Sequence, residues 1–140
     1  VRMRLLPRKY WKRRPIFNQL IVNSYARGQG IMRHVDLQKF DDGILGICLG
    51  SAGATMRFQK LRSNVEAFPG TECKLTDEDL EGETPREVQL DPGDVYVLSG
   101  DARWRWTHEI PASTLNGGDR RVSLTFRRMS PKAFLGPSEE

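Results

Sequence analysis

The sequence predicts a mainly β fold with little helix, and three observations carry that reading. Polar and apolar residues alternate over short runs, as in Arg121-Val122-Ser123-Leu124-Thr125-Phe126-Arg127, which is the period of a strand. The runs end in turn chemistry such as Pro92-Gly93-Asp94 and Asn116-Gly117-Gly118-Asp119, where Gly, Asn and Asp tolerate the required backbone angles. Many short strands in 140 residues fit one domain built as a β-sandwich, barrel or jelly roll.

Taken in order, the first strand is Gln19 to Tyr25. Ile44 to Leu49 and Ala54 to Phe58 follow, with Gly50-Ser51-Ala52-Gly53 between them reading as a hairpin turn. Thr71 to Asp94 holds nine acidic residues against Lys74 and Arg86, and its Gly82 and Pro85 fit a surface loop. Within it, Thr76-Asp77-Glu78-Asp79 caps a single helical turn. Asp94 to Ser99, Arg103 to Ile110 and Arg121 to Arg128 are the last three strands. Ile47, Met56 and Cys48 read as core, and Gly28 and Gly30 shape a bend before His34.

Composition excludes several classes. The longest apolar runs, such as Ile44 to Leu49, fall far short of the roughly 20 residues of a membrane helix. No charged-then-apolar leader opens the sequence, so no secretory signal peptide is expected. Cys48 and Cys73 are too few for a disulfide framework or a four-cysteine zinc site. A cytoplasmic or nuclear protein, monomeric and free of membrane, is the resulting expectation.

The net charge of +4 is unevenly spread. Arg2, Arg4, Arg8, Lys9, Lys12, Arg13 and Arg14 meet no acid in the first 14 positions, so the remainder is slightly acidic. Residues 1–16 therefore read as a basic arm, with Tyr10 and Trp11 inside it. Such an arm attracts phosphate and stacks on bases, or it is simply a solvated charged edge.

The chain has two histidines, His34 and His108. In His34-Val35-Asp36, a strand would turn the imidazole and the carboxylate to one side. With His108 from a distant strand, two imidazoles and one carboxylate could hold Fe(II) and leave open positions, or accept zinc. A structural His–Asp pair is the commoner outcome of such a triplet. On the last strand, Arg121, Ser123, Thr125 and Arg127 share one face and Val122, Leu124 and Phe126 the other. Two arginines and two hydroxyls on one side suit a dicarboxylate, unless that side faces solvent. Asn23 and Tyr25 form a similar polar pair.

The ordered set of Asn23-Ser24-Tyr25, Gly28-Gln29-Gly30-Ile31, His34-Val35-Asp36, His108, and Arg121 with Arg127 six residues on resembles the AlkB family. These are Fe(II)- and 2-oxoglutarate-dependent dioxygenases, and the similarity runs from about Phe17 to Met129. The resemblance implies a double-stranded β-helix, or jelly roll, over 17–129. It implies that His34, Asp36 and His108 hold the iron, that Arg121 pairs with the distal carboxylate of 2-oxoglutarate, and that Arg127 lies near its metal-proximal end. Asn23 and Tyr25 would bond the cosubstrate, beside Ser123 and Thr125. The implied chemistry couples decarboxylation of 2-oxoglutarate and consumption of O2 to oxidation of a C–H bond, which demethylates an N-alkylated base or hydroxylates a modified one.

Within the family, Phe17 to Asn23, Gly28 to Ile31 and Trp106 to Ile110 are more similar to the eukaryotic branch with the tRNA wobble-uridine hydroxylase. Gln38 stands where the bacterial repair members carry an acid, and Ser123 where they carry Asn. The resemblance therefore implies a nucleic acid partner, RNA (tRNA) before DNA. A protein-directed oxygenase and an inactive nucleic acid binding module are the competing readings. Gln38, Phe40, Trp104 and Trp106 are the candidate substrate contacts. Residues 1–16 would be a remnant of the nucleotide-recognition lid, and 130–140 a C-terminal tail.

Overall fold

The computed structural model describes residues 6–65 and 75–131. Eight strands form two antiparallel four-stranded sheets. The strands are β1 (Gln19–Ala26), β2 (Ile31–His34), β3 (Ile44–Gly50), β4 (Ala54–Lys60), β5 (Arg86–Leu90), β6 (Val95–Leu98), β7 (Trp106–Ile110) and β8 (Arg120–Arg127). One sheet runs β1-β8-β3-β6 and the other β2-β7-β4-β5, a jelly-roll core as the resemblance implied. A four-residue helix, α1 (Asp101–Trp104), precedes β7.

The β8 register sets the interior. Tyr25 pairs with Arg121 and Asn23 with Ser123 across β1, while Cys48 faces Ser123 across β3. Arg121, Ser123 and Arg127 are buried, so the polar face of β8 points between the sheets and not to solvent. Apolar residues alternating with it take the outer face. There Leu20, Val22 and Leu49 are exposed, Val22 at 60%. Ile47 lies on this face too, half-buried and outside the core expected for it. Cys48, Ala54, Met56, Leu90 and Ile110 form one cluster with Ala52 and Leu115. Val35, Leu61 and Leu80 form another.

Four sequence expectations are corrected. Gly50 to Gly53 is no hairpin, because β3 and β4 belong to different sheets. The corner is tied instead to the last strand: Ser51 and Ala52 N–H both donate to the Arg120 carbonyl. The strand expected over 103–110 begins at Trp106, because Arg103 and Trp104 N–H donate to the Gly100 carbonyl and close a helical turn. The acidic loop contains a strand, Arg86–Leu90, paired with β4 from Phe58↔Arg86 to Ala54↔Leu90; its residues 71–74 lie outside the described residues. The expected capped turn within it is present over Asp77–Asp79, with the Thr76–Asp79 capping box. Finally, β2 ends at His34, so Asp36 follows the strand and is not part of it.

The basic segment is not a free arm where it is described. Tyr10 is 1% exposed, which removes it as a stacking surface for bases. Its hydroxyl donates to Asp42, which also accepts from Lys9 and from Gly100 N–H. Burial raises the Asp42 carboxyl pKa, but the Tyr10, Lys9 and Gly100 donors outweigh it and hold the group below its ordinary value. Arg8, Lys12 and Arg14 remain exposed.

Candidate active site

His34 closes β2 and pairs directly with His108 of β7. Gly30 permits this approach of β2: a Cβ there would collide with the Ile110 carbonyl and sit 2.9 Å from Ala112 N. The two imidazole centroids are 4.2 Å apart. Asp36 completes the cluster, and one donor atom from each of the three lies within 4.8 Å of the others. Residues 74 positions apart in sequence thus converge because β2 and β7 are neighbours in one sheet.

The protonation pattern suits a cation. His34 Nδ1 lies 2.8 Å from the Met32 carbonyl, so Nδ1 carries the proton and Nε2 is left as a lone-pair donor. Burial, with His34 alongside, pushes the His108 imidazole down to about 3, against the weaker opposing pull of Asp36. His108 is therefore neutral near pH 7, and its 3.6 Å approach to Asp36 Oδ2 is not an ion pair. Asp36 Oδ1 accepts from Arg127 at 2.7 Å. The other carboxylate oxygen remains turned toward the histidines.

A cavity of about 270 Å³ opens beside this cluster between the sheets. Asn23, Tyr25, Arg121, Ser123, Thr125 and Arg127 contribute its polar wall. Arg121 is 1% exposed. Among the described residues its guanidinium has no carboxylate partner and its Nε no hydrogen bond. A buried charge left so is costly, and a carboxylate in the cavity would satisfy it. Tyr25 lies beneath, its ring centre 5.6 Å from the guanidinium carbon. Burial raises the Tyr25 phenol pKa, against Arg121 and Ser123.

Sequence reasoning missed Tyr96 and Met56 as cavity residues. Tyr96 faces Gly46 across β3 and β6, and its ring occupies the space where a Gly46 Cβ would stand. Burial pushes its phenol up to about 12, so it is a neutral hydrogen-bonding group. A glycine inside the apolar run 44–49 was the available signal.

The four candidate substrate contacts do not line this cavity. Gln38 is exposed on the turn after Asp36. Phe40 is 2% exposed and serves as the seat of Arg127, whose guanidinium carbon is 4.0 Å from the ring centre. Trp104 is on α1 rather than on the His108 strand, stacked on Arg103 at 4.1 Å. Trp106 stacks with Arg86 at 4.7 Å. Aromatic payload here goes to packing arginines.

Comparison with known proteins agrees with this geometry. A family model described as the 2OG-Fe(II) oxygenase superfamily matches residues 8–127. The chain is similar to an uncharacterized protein of Acanthamoeba polyphaga mimivirus, 29% identical over 80% of this chain and 48% of that one. It is 30% identical to the alkylated DNA repair protein ALKBH8 homolog of Arabidopsis thaliana, over 80% of this chain and 34% of the relative. With the tRNA (carboxymethyluridine(34)-5-O)-methyltransferase ALKBH8 of Mus musculus it shares 32% identity over 76% of this chain and 13% of the relative. The chain therefore spans half or less of the length of these curated relatives.

Proposed function

Because the chain belongs to the 2OG-Fe(II) oxygenase superfamily, within its AlkB branch, we propose that it oxidises an alkylated or otherwise modified base in nucleic acid, RNA before DNA. The enzyme class carries Fe(II) and 2-oxoglutarate, with O2 as cosubstrate. We assign His34, Asp36 and His108 as the iron ligands and Arg121 as the partner of the distal 2-oxoglutarate carboxylate. The observation that carries this is the buried Arg121, without a carboxylate partner among the described residues, in the same cavity as the His–Asp–His cluster.

Each side chain then has a task. His34 and His108 would supply nitrogen lone pairs, and Asp36 one carboxylate oxygen while Arg127 holds the other. Fe(II) supplies O2 activation when bound. Asn23, Ser123, Thr125 and Tyr25 give the cosubstrate hydrogen-bonding partners. The flanking Ile31, Met56 and Ile110 keep water from the reacting carbon.

The nucleic acid assignment is supported by relatives named for alkylated DNA repair and for a tRNA carboxymethyluridine, and by exposed Arg8, Lys12 and Arg14. The test is turnover with Fe(II), 2-oxoglutarate and O2 on bulk tRNA and on methylated single-stranded DNA. Nucleosides are read by mass spectrometry and succinate is measured in parallel. Loss of a methyl group or gain of one oxygen on a tRNA nucleoside is the expected result. Succinate formation with no nucleoside change in either polymer would refute the substrate, and would favour a protein target.

A further inference from the structure

We propose that Arg103 is a positioning residue that sets the Asp36 carboxylate through the turn behind it. The inference rests on the ligand assignment above. Arg103 is 1% exposed, yet the described residues offer its guanidinium no carboxylate. It donates instead to three carbonyls of one short segment: Asp36 at 2.9 Å, Leu37 at 2.8 Å and Phe40 at 2.9 Å. Trp104 stacks against its plane. Burying a guanidinium for stability alone is a poor exchange, since an apolar residue of similar volume usually serves as well.

The contacts follow one route. Asp36 lies beyond the end of β2, so no ladder bond of that strand fixes it. Leu37, Gln38 and Lys39 after it are exposed. The segment is held by buried Val35 and Phe40, by the Ser130 N–H donated to the Lys39 carbonyl and by the fork of Arg103. Phe40 in turn carries the Arg127 guanidinium on its ring, and Arg127 holds Asp36 Oδ1. Arg103 thus acts on the carboxylate twice, through the backbone of Asp36 and through the Phe40–Arg127 stack. It sits on α1, three residues before the strand that carries His108. One side chain so ties the segment supplying the carboxylate to the segment supplying the second imidazole.

The experiment is a Co(II) titration of the full chain and of Arg103→Lys, followed by visible d–d absorption. Far-UV circular dichroism and thermal unfolding of the metal-free proteins run alongside. Lysine keeps the charge but cannot span three carbonyls. The expected result is a folded variant whose Co(II) affinity falls by about 10- to 100-fold, the usual range for groups that orient metal ligands, with an altered d–d band. A variant that unfolds earlier but binds Co(II) with the native affinity and band overturns the proposal and leaves Arg103 a structural residue. Absence of Co(II) binding by the parent chain overturns the ligand assignment itself. If Arg103→Lys does not fold, Phe40→Leu decides. A loss of about tenfold in affinity supports the route through Arg127, and native affinity overturns it.

Discussion

Replacing Arg121 by methionine should stabilise the ligand-free protein and weaken 2-oxoglutarate binding. The two effects have opposite signs because the same charge is uncompensated in one state and paired in the other. Arg121 is 1% exposed and lacks a carboxylate partner among the described residues. Methionine has a similar length and fills the space above Tyr25 without burying a charge. Exchanges of buried ionic groups for apolar ones are neutral or gain about 1–4 kcal/mol. At roughly 3 °C per kcal/mol for a domain of this size, Tm should rise by up to about 12 °C. Removing one member of a buried, hydrogen-bonded charge pair costs about 3–5 kcal/mol, so Kd for 2-oxoglutarate should rise roughly 150- to 5,000-fold. Scanning calorimetry of the apo-proteins and isothermal titration with 2-oxoglutarate in the presence of Mn(II) measure both. A variant that melts several degrees lower while binding 2-oxoglutarate normally would refute the reasoning, because Arg121 would then be a structural group.

Three further outcomes are expected. His108→Ala should abolish Fe(II) binding at neutral pH, read by metal content after anaerobic desalting; normal iron content would remove His108 from the ligand set. The fold holds the His108 imidazole down to about 3, chiefly by burial, so the unfolded chain takes up a proton from about pH 6.5 downward that the folded chain refuses. Apo stability should therefore fall as pH drops from 6.5 to 5, by at most roughly 1.4 kcal/mol per unit. His108→Leu should flatten that slope in urea titrations, and an unchanged slope would count against a neutral buried imidazole. Asp42→Ala strands the buried Tyr10 hydroxyl and removes the acceptor of the exposed Gly100 N–H. It should cost about 1–3 kcal/mol, measured by urea unfolding, while Arg8→Ala, at an exposed position, should cost under about 0.5 kcal/mol.

The jelly roll and the cavity wall were legible in the sequence because strand period two is rigid. Arg121, Ser123, Thr125 and Arg127 must share a side, whatever else the chain does. What the period does not say is which side is inside. Two arginines and two hydroxyls ordinarily face water, and only the resemblance turned them inward. Arg86–Leu90 escaped because an edge strand with Arg86, Glu87 and Gln89 in solvent carries no apolar alternation. The Gly50–Gly53 corner escaped because a glycine-rich link between two strands reads the same whether they pair or change sheets. Trp104 has the parity of His108 on paper, but one helical turn at Asp101–Trp104 breaks that count; Trp106 keeps it on β7 and stacks with Arg86 instead. The Arg103 fork was invisible because backbone carbonyls have no sequence signature.

The polar row of β8 also has a consequence for how long the molecule lasts. A sandwich normally fills its middle with hydrocarbon. Here the middle is a cavity of about 270 Å³ bounded by the His–Asp–His cluster and by a guanidinium that has no carboxylate partner among the described residues. Part of the cohesion of the fold is therefore deferred until metal and cosubstrate arrive, and they bind the folded chain alone. At one hundred times its Kd a single such ligand adds about 2.7 kcal/mol, a sizeable fraction of the roughly 5–15 kcal/mol that holds a typical domain together. The supply of iron and 2-oxoglutarate then sets the survival of the protein against proteolysis as well as its turnover rate. Starvation for either would thin the population before it slowed the chemistry.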